Sequence, residues 1–256
     1  HEAATRAIAP HLGPGELVVL KSTTYPGTTE DVVAPILEEE GPDGLTLGED
    51  VFLAFSPERI DPGNDEYTTA NTPVVAGGMT ETGTEMARRA LGQIIADVHT
   101  VSGPKAAEME KLLENIFRSV NIALANELAQ FCERVDGLSM WEVVDAAATK
   151  PFGFMPFYPG PGVGGHCIPI DPHYLSKVAK THDFETSFIT LSARVNEDMP
   201  YHVCQSVVEA VANQPVSLGD ATVLVLGVAF KANVQDTRRS PARAIVRLLG
   251  KTGGCL

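Results

Sequence analysis

The sequence predicts an α/β chain: a parallel sheet interleaved with helices, then an all-helical stretch, then the start of a second strand–helix unit. Two observations carry this. Four short segments, ELVVLKS (16–22), VFLAFSP (51–57), PVVAGG (73–78) and DVHTV (97–101), alternate with helical patterns. The first three carry continuous apolar runs rather than apolar residues at alternate positions, as strands buried on both faces do. After SGP (102–104) the apolar period becomes helical and stays so for about a hundred residues. Boundaries follow at 103/104 and 214/215, giving regions 1–103, 104–214 and 215–256.

Each element has its own signal. HEAATRAIAPHL opens as a helix that GPG (13–15) closes. TTYPGTTED is a loop leading into the helix DVVAPILEEE, and TGTEMARRALGQII forms the helix before DVHTV. Pro104 suits a first helical position. From Glu108 to Val135 the apolar residues Met109, Leu112, Leu113, Ile116, Val120, Leu124, Leu128 and Phe131 recur at helical spacing. SMWEVVDAAAT is a shorter helix, and another runs from about Ser187 to Asn213 with a kink expected at Pro200. ATVLVLG (221–227) reads as a strand and SPARAIVRLLG as the helix behind it.

Composition excludes several function classes. Asp and Glu total 33 against 19 Lys and Arg, a formal net charge of −14. A broad cationic surface for nucleic acid is therefore not expected. An anionic small molecule would need a local basic cluster, and Lys231, Arg238 and Arg239 in GVAFKANVQDTRR (227–239) supply one. No apolar run reaches the roughly 18 residues of a membrane span. The four cysteines, Cys132, Cys167, Cys204 and Cys255, form no CxxC pair, which suits a reducing, cytoplasmic setting and no zinc site. The chain opens on His1 with no signal-peptide pattern.

The stretch YPGPGVGGHCIPIDP (158–172) carries the most chemistry. Its Gly160, Gly162 and Gly165 spell GxGxxG, but no strand precedes and no helix opens as a dinucleotide fingerprint requires. The glycines instead suit a backbone that passes close to a ligand. Cys132 and Cys204 sit on helical patterns and read as small buried apolar residues. Cys167 lies on a loop beside His166 and four residues before Asp171. It is a candidate nucleophile, and a metal site of His166, Asp171 and His173 is the other reading. Glu108, Lys111, Asn115 and Ser119 share one stripe of the long helix. That stripe is either solvated or, through Lys111 and Asn115, an oxyanion-stabilising pair. SPER (56–59) and STTYPGTT (22–29) follow strands, where such sheets place ligand residues.

In this order STTYPGTT, FSPERIDPGN, EMEKLLEN, GPGVGGHCIPIDP and GVAFKANVQDTR resemble the signature run of the UDP-glucose/GDP-mannose dehydrogenases. FGFMPFYPGPGVGGHCIPIDPHYL is most similar to the branch that oxidises UDP-N-acetylglucosamine at C6. The resemblance implies a Rossmann-like NAD-binding domain, a central helical dimerisation region and the first βα unit of a second Rossmann-like, UDP-binding domain. It implies a four-electron oxidation of a UDP-sugar by NAD through a thiohemiacetal and thioester on Cys167. It assigns Lys111 and Asn115 to the oxyanion, Asp171 to a water, and Thr23 and Glu58 to thioester hydrolysis. Substrate contacts are implied for Glu58, Arg59, Lys111, Asn115, Tyr158, Gly160, Gly162, Gly164, Phe230 and Lys231. Cofactor contacts are implied for Ser22, Thr23, Thr24, Cys167 and Arg238, with no metal. A homodimer through the central helices is implied as well.

Two departures bear on the sugar. Glucose-specific members carry Lys before the aspartate, where Ile170 stands, and a second Glu where Pro62 stands. Both favour a UDP-N-acetylhexosamine over UDP-glucose. UDP-N-acetylmannosamine stays open, as does a Cys–His hydrolase independent of NAD. The family's own GxGxxG unit and the remainder of its UDP-binding domain fall outside these 256 residues. A chain of this extent alone should bind neither ligand well, and an inactive, truncated helical dimerisation core is the alternative to a working dehydrogenase.

Overall fold

The computed structural model describes residues 1–165, 168 and 171–251, with the backbone alone at 171 and 172. It divides into two compact units, His1–Glu114 and Asn115–Leu256.

The first unit is built on a four-stranded sheet in the order β1 (Leu17–Leu20), β2 (Phe52–Phe55), β3 (Val74–Gly78), β4 (Val98–Thr100). Its helices are α1 (Glu2–Ile8), α2 (Ala34–Glu40), preceded by a π-helical turn at Thr29–Val33, and α3 (Glu81–Leu91). Successive side chains of β2 point to opposite faces, and both faces are covered. Leu53 packs against Val33, Ala34 and Leu37. Ala54, on the other face, meets Ala76 and Ala87 of α3. Phe55 packs with Val75 and Ala107. This double burial is why β2 is apolar at every position.

β1 and β2 pair in parallel, Leu20 opposite Phe55, and β3 and β4 also pair in parallel. β2 and β3 are antiparallel, Phe55 opposite Gly77, so the sheet is mixed and not parallel throughout. The reason lies in the connection. A parallel return needs a crossover, usually a helix. Residues 56–73 form turns with no helix, and the chain comes back antiparallel.

Helix α4 (Pro104–Cys132) opens at the expected proline and runs 29 residues. The second unit contains the rest of it with α5 (Met140–Ala148), α6 (Asp171–Thr181), α7 (Ser187–Ala212) and α8 (Pro241–Lys251). Helix α6 carries no prior expectation from the sequence, because its first residues read as the end of the proline-rich loop. Pro200 sits inside α7 and is buried. Cys204 of α7 joins Ile245 and Leu249 of α8 in a core cluster. Burial raises the Cys204 thiol above its ordinary pKa. It and Cys132 are buried, as their helical setting suggests.

The expected strand at 221–227 is not formed. Val223 packs onto the α7–α8 cluster, while Leu224 and Leu226 stand 79% and 86% exposed. Thr222 alone takes a β-bridge, and a strand needs a ladder of such pairs. The helix behind it, α8, is present.

Candidate active site

In the first unit, parallel pairing of β1 and β2 brings their carboxyl ends to one edge of the sheet. Two of the expected motifs leave from there. Ser22, Thr23 and Thr24 follow β1, with Ser22 exposed, Thr23 half-buried and Thr24 buried. Thr24 Oγ1 lies 2.5 Å from Thr28 Oγ1, and Thr28 Oγ1 donates to the Tyr25 carbonyl at 2.8 Å. The loop therefore closes on its own side chains.

Glu58 follows β2. Its Oε1 accepts from the backbone N–H groups of Arg59 and Ile60, both at 2.9 Å. Its Oε2 faces Lys21 Nζ at 3.8 Å. An oxygen held by two amides fixes the carboxylate's direction. Arg59 donates to the Pro73 carbonyl at 2.8 Å and pairs with Glu110 and Glu114 of α4. Those two carboxylates were absent from the sequence reading. Burial, then a shared hydrogen bond with Glu114, pushes the Glu110 carboxyl up to about 6 against the pull of Arg59.

The stripe on α4 is the clearest departure from an ordinary surface helix. Glu108 and Leu112 are fully buried, and Lys111 is only 13% exposed at its side chain. Met109 and Leu113 of the apolar stripe stand exposed. Lys111 Nζ lies 4.0 Å from Glu114. In the second unit the same helix buries Asn115, Ser119 and Asn126, while Phe117, Leu124, Leu128 and Phe131 face outward. The polar stripe is thus the inner one, and the solvated reading of it fails.

The second unit also shows how the glycine-rich loop is held. Gly160 N donates to Asn126 Oδ1 at 2.9 Å. Asn126 Nδ2 donates to Asn196 Oδ1 at 3.0 Å, and Asn196 Nδ2 to the Ser119 carbonyl at 3.0 Å. No sequence pattern links these residues, which lie up to 77 positions apart. The one available signal was a polar Asn126 amid apolar periodicity. Tyr158 donates to Asp145 at 2.7 Å and stacks on Trp141 with centroids 5.1 Å apart.

Gly162 has φ +119, and a Cβ there would lie 3.0 Å from the Asn196 carbonyl. A Cβ on Gly164 would come within 2.6 Å of Phe230 Cβ. At both positions the close approach needing glycine is to the chain itself. Phe230 N donates to the Asp236 carbonyl at 3.0 Å, closing the loop that carries Lys231. Arg238 is exposed and held by Asp236, Nη2 to Oδ2 at 2.7 Å. Asp171 begins α6. Cys167, His166 and Ile170 lie outside the described residues. Among the described residues no three His, Cys, Asp or Glu side chains gather as a metal site would need.

Comparison with known proteins resolves the ancestry. Residues 1–95 match the model of the UDP-glucose/GDP-mannose dehydrogenase family, NAD binding domain, and residues 105–198 match that of its central domain. The chain belongs to the UDP-glucose/GDP-mannose dehydrogenase family. A UDP-N-acetyl-D-glucosamine 6-dehydrogenase of Pseudomonas aeruginosa is 39% identical over 97% of this chain and 58% of its own length. A UDP-N-acetyl-D-mannosamine dehydrogenase of Methanococcus maripaludis is 33% identical over 98% of this chain and 54% of its own. Among solved structures, a UDP-D-ManNAc dehydrogenase from Pyrococcus horikoshii superposes with a TM-score of 0.89 at 35% identity, covering 98% of this chain and 58% of that one. The chain thus spans a little over half the length of these relatives.

Proposed function

We propose that this chain is the central portion of an NAD-dependent UDP-sugar 6-dehydrogenase acting on a UDP-N-acetylhexosamine, with UDP-N-acetylglucosamine as the first choice. The observation that carries the reading is the inward turn of the Glu108–Lys111–Asn115–Ser119 stripe. The stripe sets a lysine and an amide on the inner side of the helix, the residue types that can stabilise an oxyanion. The named relatives act on N-acetylated nucleotide sugars, which supports that class. UDP-N-acetylmannosamine is the second candidate, because the Pyrococcus horikoshii structure with TM-score 0.89 carries that name.

The residues present fit NAD. The Ser22–Thr24 loop leaves the carboxyl edge of the sheet, where such folds hold nucleotides, and Arg238, exposed and paired with Asp236, is the cation proposed for a pyrophosphate. When bound, NAD accepts a hydride from the sugar C6 at each of two stages. Asp171 holds the water that takes the alcohol proton at the first stage. The Cys167 thiolate then adds to the aldehyde, and Lys111 and Asn115 stabilise the oxyanion of the thiohemiacetal. Loss of the second hydride leaves a thioester on Cys167. Glu58 and Thr23 orient the water that cleaves it, and the thiolate departs. The balance is one alcohol, two NAD⁺ and one water to one carboxylate, two NADH and three protons. A covalent link keeps the aldehyde in place between stages.

Glu58, Arg59, Lys111, Asn115, Tyr158, Gly160, Gly162, Gly164, Phe230 and Lys231 form the proposed substrate set. Domain limits of 1–103, 104–214 and 215–256, a homodimer through α4, and a cytoplasmic setting complete the proposal. The test follows NADH formation by the protein containing this chain, with UDP-N-acetylglucosamine, UDP-N-acetylmannosamine and UDP-glucose in turn. Two NADH per acetylated sugar are expected. NADH from UDP-glucose alone would overturn the sugar class, and none from any of the three would overturn the activity.

A further inference from the structure

Glu108 is a fully buried carboxylate that the proposed chemistry does not use. Its Oε2 accepts from Gly27 N at 2.6 Å. Its Oε1 accepts from Thr29 N at 2.8 Å and Thr29 Oγ1 at 2.7 Å. All three donors belong to the loop that follows β1, 79 to 81 residues away in sequence. The acceptor sits on α4, three residues before Lys111.

We propose that Glu108 is a positioning residue: it clamps the Ser22–Thr29 loop onto α4 and thereby fixes where Thr23 stands relative to the helix that carries Lys111. The inference rests on the dehydrogenase reading for its catalytic consequence, and on geometry alone for the clamp. A buried carboxylate is tolerated only when donors replace water, and an ionised one uses all three donors present. The loop is shaped to supply them. Gly27 takes φ +102, a conformation that presents its N–H, and a Cβ there would lie 2.5 Å from Asp31 Oδ2. Asp31 N donates to the Gly27 carbonyl at 2.7 Å, so the turn is locked from its far side as well. Thr28 and Thr29 are almost wholly buried. The first half of the loop, with Ser22 exposed and Thr23 half-buried, hangs from this anchored second half. One side chain thus couples two elements that are remote in sequence, and a pair of residues acting on one reacting centre needs that coupling.

The experiment uses the full-length enzyme and three variants. Glu108→Gln keeps the shape but turns an amide N–H toward a donor. Thr29→Val removes only the hydroxyl donor, and Thr29→Ser retains it. For Glu108→Gln, kcat is expected to fall on the order of 10²-fold, the cost of a misplacement near 1 Å, with the KM for UDP-sugar little changed. The thioester on Cys167, detected by intact mass during turnover, should accumulate, because Thr23 serves its hydrolysis. Thr29→Val should show a smaller loss of the same kind, and Thr29→Ser should match the parent. Hydrogen exchange gives a readout independent of activity: the amides of Gly27 and Thr29 should lose protection in Glu108→Gln while those of β2 and β3 keep theirs. Lost protection in a protein inactive towards every UDP-sugar would retain the clamp and remove the dehydrogenase reading. Unchanged protection, or a folded Glu108→Gln enzyme with parental kcat, would overturn the proposal.

Discussion

Lys111 is three-quarters or more shielded from solvent on a helix that turns Met109 and Leu113 outward, and its proposed task predicts a particular kinetic signature. Charge on the thiohemiacetal oxygen develops only in the transition state. Lys111→Ala should therefore lower kcat by on the order of 10²- to 10³-fold and leave KM nearly unchanged. A rise in KM alone would contradict the role. Cys167→Ser should abolish uronic acid formation, since an alkoxide is not available near neutral pH, and stoichiometric NADH with full product would refute the nucleophile. Glu110 makes a pH prediction of definite sign. Its carboxyl is raised from 4.5 to about 6 by burial and by sharing a hydrogen bond with Glu114, with Arg59 opposing. The folded chain therefore binds a proton more tightly than the unfolded chain. The resulting stability is fully present below pH 4.5 and is lost as pH rises through about 6. Denaturation midpoints at pH 4.5 and 7 should differ less in Glu110→Gln than in the parent, and an equal difference would remove Glu110 as the cause. These roles were legible to different degrees. Lys111 and Glu58 stood in recognisable motifs. Glu110, Asn126 and the clamp at Glu108 depend on partners about 34 to 81 positions distant, which no local pattern announces.

At the scale of elements, Pro200 and Gly162 illustrate how one irregularity licenses another. Proline has no N–H, so the Asn196 carbonyl one turn earlier gains no helical partner from it. Gly162 passes that carbonyl at a distance a Cβ would shorten to 3.0 Å, with φ +119 besides. Gly162→Ala should cost on the order of 1–3 kcal/mol through backbone strain. A melting curve identical to the parent's would show the loop to be looser than its contacts suggest. The failed strand at 221–227 teaches the complementary lesson. Its apolar run carries a sound strand signal, but strand formation is decided by neighbours. The antiparallel return of β3 has the same origin: residues 56–73 lack helical periodicity, a signal present in the sequence and outweighed by the apolar strands around it.

At the scale of the whole molecule, the outward face of α4 is the feature to explain. Phe117, Leu124, Leu128 and Phe131 are 45%, 53%, 40% and 58% exposed and share one face of the helix. Contiguous exposed apolar surface of this kind marks an interface. For the proposed homodimer, Leu124→Glu with Leu128→Glu should lower the mass from dimer to monomer in light scattering after size exclusion. An unchanged mass would move the interface elsewhere. No helix among the described residues is long and apolar enough to cross a membrane, so this face is not a spanning segment.

The sequence by itself determined the class of fold, the place of nearly every helix, the family, and the motifs on which the chemistry is proposed. These rest on local composition and order along the chain, which the linear text carries. Only the tertiary structure decided that the polar stripe of α4 turns inward, that β3 returns antiparallel, and that Glu108, Glu110 and Asn126 hold the loops. Such matters depend on which residues distant in sequence share a buried space. Glu108 meets three donors of the loop after β1, and Asn126 meets Asn196 and Gly160 N; that pairing is what lets a polar stripe be buried.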